Sequence, residues 1–161
     1  MENLWRPWRI EYILSDKKDG CIFCDLPGEK KDKENYILYR AETCFVMLNT
    51  YPYNSGHLMV APYRHVDSFE KLDQKELGEL FQMVNKSTNL LNKVMQPNGF
   101  NLGANLGGVA GAGVKNHVHM HIVPRWEGDT NFMPVIAEAN VIPESLNSVF
   151  KKLSEALDKT S

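Results

Sequence analysis

The chain has 161 residues, 43% of them apolar and 24% charged, with a formal net charge of −2. That size fits one domain with a real core, and the near-neutral balance excludes broad, non-specific nucleic-acid binding while allowing a local basic pocket for phosphates. No apolar run approaches the ~18 residues of a membrane span, no apolar stretch at the start reads as a secretory signal, and three cysteines make no disulfide framework.

A cytoplasmic protein is expected from this, with no membrane and no nucleic acid among its partners. Residues 1–20 read as an N-terminal arm, with Trp5, Arg6, Trp8 and Arg9 around Pro7. Cys21-Ile22-Phe23-Cys24 follows, and its spacing suits a metal in a reducing compartment. Residues 26–35 have almost nothing to bury and read as a surface loop. Strands are predicted over Tyr36 to Arg40, Thr43 to Asn49 and His57 to Ala61, with a turn from Asn49 to Gly56. Asp73 and Glu76 have the spacing of a capping box, an N-cap side chain with a carboxylate three residues on. A long helix is predicted behind them, its core stripe formed by Leu77, Leu80, Phe81, Val84, Leu91, Val94 and Met95, with Thr88 filling one gap. Pro97, Asn98 and Gly99 end that helix, and Phe100 to Ala104 reads as a fourth strand. Gly107 to Gly113 is a glycine-rich loop. A last amphipathic helix, marked by Leu146, Val149, Phe150, Leu153 and Leu157, lies in a C-terminal segment over residues 138–161. Strands in the middle with helices set apart predict an α+β fold: one five-stranded, mainly antiparallel sheet with two main helices.

The chemistry concentrates in His117-Val118-His119-Met120-His121. Apolar residues fill the gaps, so the segment reads as a strand, and residues two apart share a face. Three imidazoles therefore line one edge of a site. Imidazole serves as nucleophile, general base or metal ligand. The glycine loop just upstream narrows the choice. It leaves backbone N–H groups open to phosphate oxygens.

These residues resemble the histidine triad, or HIT, superfamily of nucleotide hydrolases and transferases, whose signature is His-φ-His-φ-His-φ-φ. Gly56-His57-Leu58-Met59-Val60 matches the family's Gly-His strand, and Asn49 stands eight residues before that histidine. The Trp5–Arg9 segment, Gly103-Ala104-Asn105-Leu106, the Pro124-Arg125-Trp126 ending and Gly128 to Phe132 look like the bacterial and archaeal diadenosine-tetraphosphate phosphorylase branch, whose members act as ADP or ATP adenylyltransferases. The resemblance implies a single HIT domain over residues 1–161, paired as a homodimer whose two sheets meet across the interface. It implies that His119 attacks the α-phosphorus and forms a covalent nucleotidyl-imidazole, its other ring nitrogen donating to a backbone carbonyl. His121 then contacts the α-phosphate or bridging oxygen, and His57 and His117 support the triad. Asn49 holds the ribose hydroxyls. Asn105, Gly111, Ala112 and Gly113 cradle phosphate, and Val46, Met47 and Leu48 form the base pocket.

One position departs from many HIT hydrolases. Where they carry glutamine, four residues before the first triad histidine, this chain has Gly113. The missing amide leaves room for an incoming anion, which favours inorganic phosphate as co-substrate over plain hydrolysis. Relatives such as the galactose-1-phosphate uridylyltransferases hold structural zinc with a Cys-x-x-Cys pair and two histidines. By that likeness Cys21, Cys24, His65 and His117 form a zinc site, and no organic cofactor is expected. The expected substrate is a dinucleoside polyphosphate containing AMP. A phosphoramidase or hydrolase releasing AMP, and a nucleotide-binding protein with little turnover, stay open as alternatives. Val118 and His121 argue against a uridylyltransferase.

Overall fold

The computed structural model describes residues 20–114, 116–129 and 142–159. The predicted arm lies outside them, Gly20 apart, and so does the start of the C-terminal segment. The elements are α1 (Ile22–Gly28), β1 (Ile37–Arg40), β2 (Cys44–Leu48), β3 (Leu58–Pro62), α2 (Gln74–Met95), β4 (Gly99–Gly103), β5 (Met120–Arg125) and α3 (Leu146–Asp158). The five strands form one sheet in the order β1-β2-β3-β5-β4. Every neighbouring pair is antiparallel. The α+β class and the five-stranded sheet are as predicted.

The sheet is covered on both faces, and the alternation of side chains along each strand sorts residues between them. Toward one face, Cys44, Val46 and Leu48 of β2, Leu58 and Val60 of β3, and Val118, Met120 and Ile122 pack with Leu80, Val84 and Leu91 of α2 and Val149 and Leu153 of α3. Toward the other, Ile37, Phe45, Met47, Met59 and Ala61 pack with Phe23 of α1. Truncating a residue such as Leu91, which has no exposed surface, to alanine removes about 2–5 kcal/mol.

Helix α2 starts where the capping box places it. The Asp73 carboxylate accepts from the Glu76 N–H, and the Glu76 carboxylate accepts from the Asp73 N–H. Glu76 also takes two hydrogen bonds from the Arg64 guanidinium, each 2.7 Å long. The helix ends at Gln96 in the left-handed region, ahead of Pro97.

Three predictions need correction. Residues 26–28 are not loop but the end of α1, where Pro27 is buried. This third helix has no side-chain cap and contains a proline, so it carries none of the usual start and stop signals. Phe81 is half exposed. The buried stripe steps through Leu80, Val84, Ser87 and Leu91, and Phe81 lies about 100° round the helix from Leu80. For the same reason buried Ser87, not Thr88, fills the gap. Finally, the histidine strand begins at Met120 rather than His117. The β3 ladder stops at Val60↔Met120, and two other groups take over. The Val118 N–H donates to the Val66 carbonyl, and the His117 ring donates to the Pro62 carbonyl.

Candidate active site

Although the ladder starts late, alternation survives through the triad. Val118 and Met120 face the helices, so His117 and His119 face the other way, where both rings lie against Phe23. His57, the residue just before β3, and His121 of β5 come to the same place, with ring centroids 5.1 Å apart. His119 and His121 meet edge to face at 4.7 Å.

The hydrogen bonds assign every ring proton in this cluster. Backbone N–H groups only donate and backbone carbonyls only accept. The Tyr53 N–H donates to His57 Nδ1 at 3.1 Å, so the His57 proton sits on Nε2. That proton is donated to His121 Nδ1 at 2.9 Å, so His121 carries its own proton on Nε2. His119 Nδ1 donates to the His117 carbonyl at 2.9 Å, which leaves a lone pair on His119 Nε2. Adjacent rings therefore present opposite faces of acid–base chemistry: a bare nitrogen on His119 and an N–H on His121. Burial keeps the relay neutral. It pushes His57 down to about 3 and His121 down to about 4, with neighbouring imidazoles adding to the shift. His119 is also lowered by burial, against the pull of its carbonyl partner. Among the described residues, only the Ser55 hydroxyl is a fully buried side-chain polar atom with no hydrogen bond. His119 as a whole is 4% exposed, and among the described residues its Nε2 has no hydrogen-bond partner.

A second cluster abuts the first. Cys21, Cys24, His65 and His117 each aim one donor atom at a common point, all four within 4.8 Å of one another. Cys21 Sγ lies 3.2 Å and Cys24 Sγ 3.5 Å from His117 Nδ1, and Cys24 Sγ lies 3.3 Å from His65 Nδ1. Sulfur and nitrogen ligands around a tetrahedral metal ion stand roughly 3.3–3.8 Å apart. His117 Nε2–H donates to Pro62 O at 2.9 Å, so Nδ1 has its lone pair free for the cluster, as the outer partner of a metal-bound imidazole requires. Burial, with Cys21 beside it, pushes the Cys24 thiol up to about 11, so a thiolate there calls for a cation. The donor set fits a metal ion. His117 Nε2 is bonded to Pro62 and its Nδ1 faces the two thiols, which separates it from His119 and His121. The third cysteine, Cys44, is buried, with its thiol pushed up to about 12 by burial.

The remaining predicted residues are placed as follows. Asn49 stands at the rim of the triad, its Oδ1 accepting from the Tyr51 N–H and its Nδ2 3.4 Å from His57 Nδ1. Met47 points to the histidine face, but Val46 and Leu48 point to the helices, so their side chains are withdrawn from any ligand there. In the glycine loop the N–H groups of Gly111 and Ala112 are already bonded to the carbonyls of Gly108 and Gly107. Asn105 Nδ2 reaches Gly111 O at 3.4 Å and so braces the loop. Among the described residues the Gly113 N–H has no backbone partner. A cavity of about 340 Å³ lies between this loop and residues 67–71, bounded by Ser68, Asn105, Gly108 and His117 and not by His119 or His121.

Residues 30–128 match the family model of the HIT domain. The chain belongs to the HIT-domain family. It is 37% identical over 163 aligned residues to the AP-4-A phosphorylase of Mycobacterium tuberculosis, covering 96% of this chain and 83% of that one. Among solved structures, a histidine triad nucleotide-binding protein from Sulfolobus tokodaii is 27% identical with a TM-score of 0.69, over 86% of this chain and 93% of that one. A Zn-bound histidine triad family protein from Mycobacterium smegmatis shares the fold at 20% identity and a TM-score of 0.69, over 88% and 95% of the two chains. Two parts of this HIT domain carried no expectation of their own: the Tyr53 N–H that sets the His57 tautomer, and Phe23, whose place between two cysteines was the available signal.

Proposed function

We propose that the protein is a nucleotidyltransferase that cleaves dinucleoside polyphosphates, diadenosine tetraphosphate among them, with inorganic phosphate as acceptor. The observation that carries this reading is the pair of opposite tautomers on His119 and His121. In the first displacement, the His119 Nε2 lone pair bonds to the α-phosphorus. The bond from phosphorus to the bridging oxygen breaks, and the His121 Nε2–H gives its proton to the departing polyphosphate. In the second, a phosphate oxygen bonds to phosphorus, the P–N bond breaks, and the phosphate proton returns to His121. Diadenosine tetraphosphate and phosphate thus become ATP and ADP. Charge developing on the equatorial oxygens would fall to N–H donors, with the Gly113 N–H of the glycine loop as the candidate. Asn49, at the rim, is read as the ribose contact, and Met47 as the one β2 side chain beside the base.

The four-residue cluster is read as a structural zinc site. Zinc bound there would join α1, the segment after β3 and the start of the triad, and would leave no open position for water. The outer edge of β4, with Leu102 exposed there and Phe81 exposed on α2, supports assembly as a homodimer. The similarity to AP-4-A phosphorylase supports the phosphate acceptor. The test is incubation with diadenosine tetraphosphate, with and without inorganic phosphate. ADP release that requires phosphate is expected. AMP release that ignores phosphate identifies a hydrolase instead, and saturable AMP affinity without turnover identifies a binding protein.

A further inference from the structure

The geometry points to Phe23 as the residue that positions the His119 imidazole, held against it by the flanking Cys21 and Cys24. This inference rests on His119 being the reactive group of the proposed reaction. Phe23 has no exposed surface. Its ring centroid lies 4.6 Å from that of His119, tilted by 43°, and 5.2 Å from that of His117. Phe45 backs it from β2 at 6.3 Å.

The placement of Phe23 is tightly determined. It is the second residue of α1, a seven-residue helix too short to be stable by itself. Cys21, two residues before it, and Cys24, the residue after it, belong to the cluster that could hold a metal ion. The far end of α1 is tied to the sheet by Arg40 of β1, which donates to the Pro27 carbonyl at 2.8 Å, and to the turn before β1 by Asn35, which donates to the Leu26 carbonyl at 3.2 Å. The phenyl ring is therefore a wedge fixed at both ends of its helix.

The wedge acts on the one degree of freedom that the His119 hydrogen bond leaves soft. Nδ1–H to the His117 carbonyl is a single hinge point, and the ring can still swing about it. Phe23 at 4.6 Å and His121 at 4.7 Å crowd the ring and narrow that arc. A swing in either direction would turn the Nε2 lone pair off the line to phosphorus. In-line displacement is steep in this coordinate, since a misplacement of about 1 Å costs on the order of a hundredfold in rate. Phe23 touches no reacting atom, so its role is positional.

The test is Phe23→Leu, which stays apolar and loses the flat ring. Its kcat is expected to fall about tenfold to a hundredfold, with KM within about twofold and metal content equal to that of the wild type. In the substrate-free protein, ¹⁵N spectra of the His119 ring should change from a single Nδ1–H tautomer to a mixture. Phe23→Met provides a second apolar replacement should leucine unfold the chain, and Phe23→Tyr, which keeps the ring, should recover most of kcat. A single tautomer with wild-type kcat in either folded, metal-loaded variant overturns the proposal. So does a kcat loss that tracks metal loss while the tautomer stays single. The spectroscopic arm needs no substrate, so it stands or falls separately from the reaction assigned above.

Discussion

His57 Nε2 and His121 Nδ1 are 2.9 Å apart, and this contact decides which nitrogen of His121 carries its proton. Because the Tyr53 N–H occupies His57 Nδ1, the proton between the two rings belongs to His57. His121 is thereby kept as a donor on its outer nitrogen. Replacing His57 by phenylalanine removes the hydrogen bond but keeps a buried ring. Turnover should fall by about 10²–10⁴, the usual worth of a general acid. The loss should be much smaller for a substrate whose leaving group is p-nitrophenolate, which needs no proton. Equal losses for both substrates would detach His57 from proton delivery.

His119→Ala should end turnover while leaving AMP affinity within a few-fold of wild type, since binding does not require the nucleophile. Brief exposure of the wild-type protein to α-³²P-labelled substrate, followed by acid-free denaturation, should leave label on the chain, and the variant should carry none. Label retained by His119→Ala would place the covalent chemistry elsewhere.

Cys24→Ser should lose the bound metal and lower the melting temperature by several degrees or more, because metal binding to a folded site adds directly to folding free energy. Elemental analysis of the purified chain should give about one zinc per protomer. A chelator should reproduce the shift in the wild type and leave Cys24→Ser unmoved.

Acid should weaken the fold early. Burial holds His57 and His121 far below their ordinary value of 6.5, so the unfolded chain takes up protons there that the folded chain refuses. Stability is then complete above about pH 6.5 and declines as pH falls toward the folded values of about 4 and 3. Between about pH 6.5 and 5 carboxylates are still ionised, so the histidines set the slope. Urea unfolding at half-unit intervals measures it. A flat profile across that window contradicts the assignment of neutral, buried rings. The same neutrality predicts that kcat shows no His121 inflection between about pH 5 and 8.

Gly56 precedes the histidine that starts the relay and sits at φ +76°. A Cβ there would stand 2.7 Å from Met95 Sδ. Gly56→Ala should cost about 1–2 kcal/mol, read as a shift in the denaturation midpoint. Pairing it with Met95→Ala should recover only the part due to contact, since the backbone strain remains.

Much of this site could be read from residue order because its signals are local. Period-two alternation put His117, His119 and His121 on one face, and that survives even where the ladder is missing. The Asp73 and Glu76 spacing located the start of α2 to the residue. Glycine frees the backbone, which makes Gly111 and Ala112 candidate phosphate donors; the 3-10 turn over Gly108–Ala110 occupies those N–H groups internally, a closure that composition does not encode. The family resemblance implies a base-pocket role for Leu48, but the side of the sheet it faces depends on pairing with β3 and on where α2 packs. Helix α1 has no clear signature in residue order although Phe23, Leu26 and Pro27 have helical spacing, because a proline near its end and an uncapped start look like loop chemistry.

The Glu76 carboxylate serves two masters. It closes the first turn of α2 and grips Arg64, the residue just before His65, and the guanidinium holds it well below the usual carboxylate range. Fraying of that helix end and release of the His65 segment are therefore one event rather than two. Amide exchange along both stretches should share a single opening free energy, so that loosening either one loosens its neighbour.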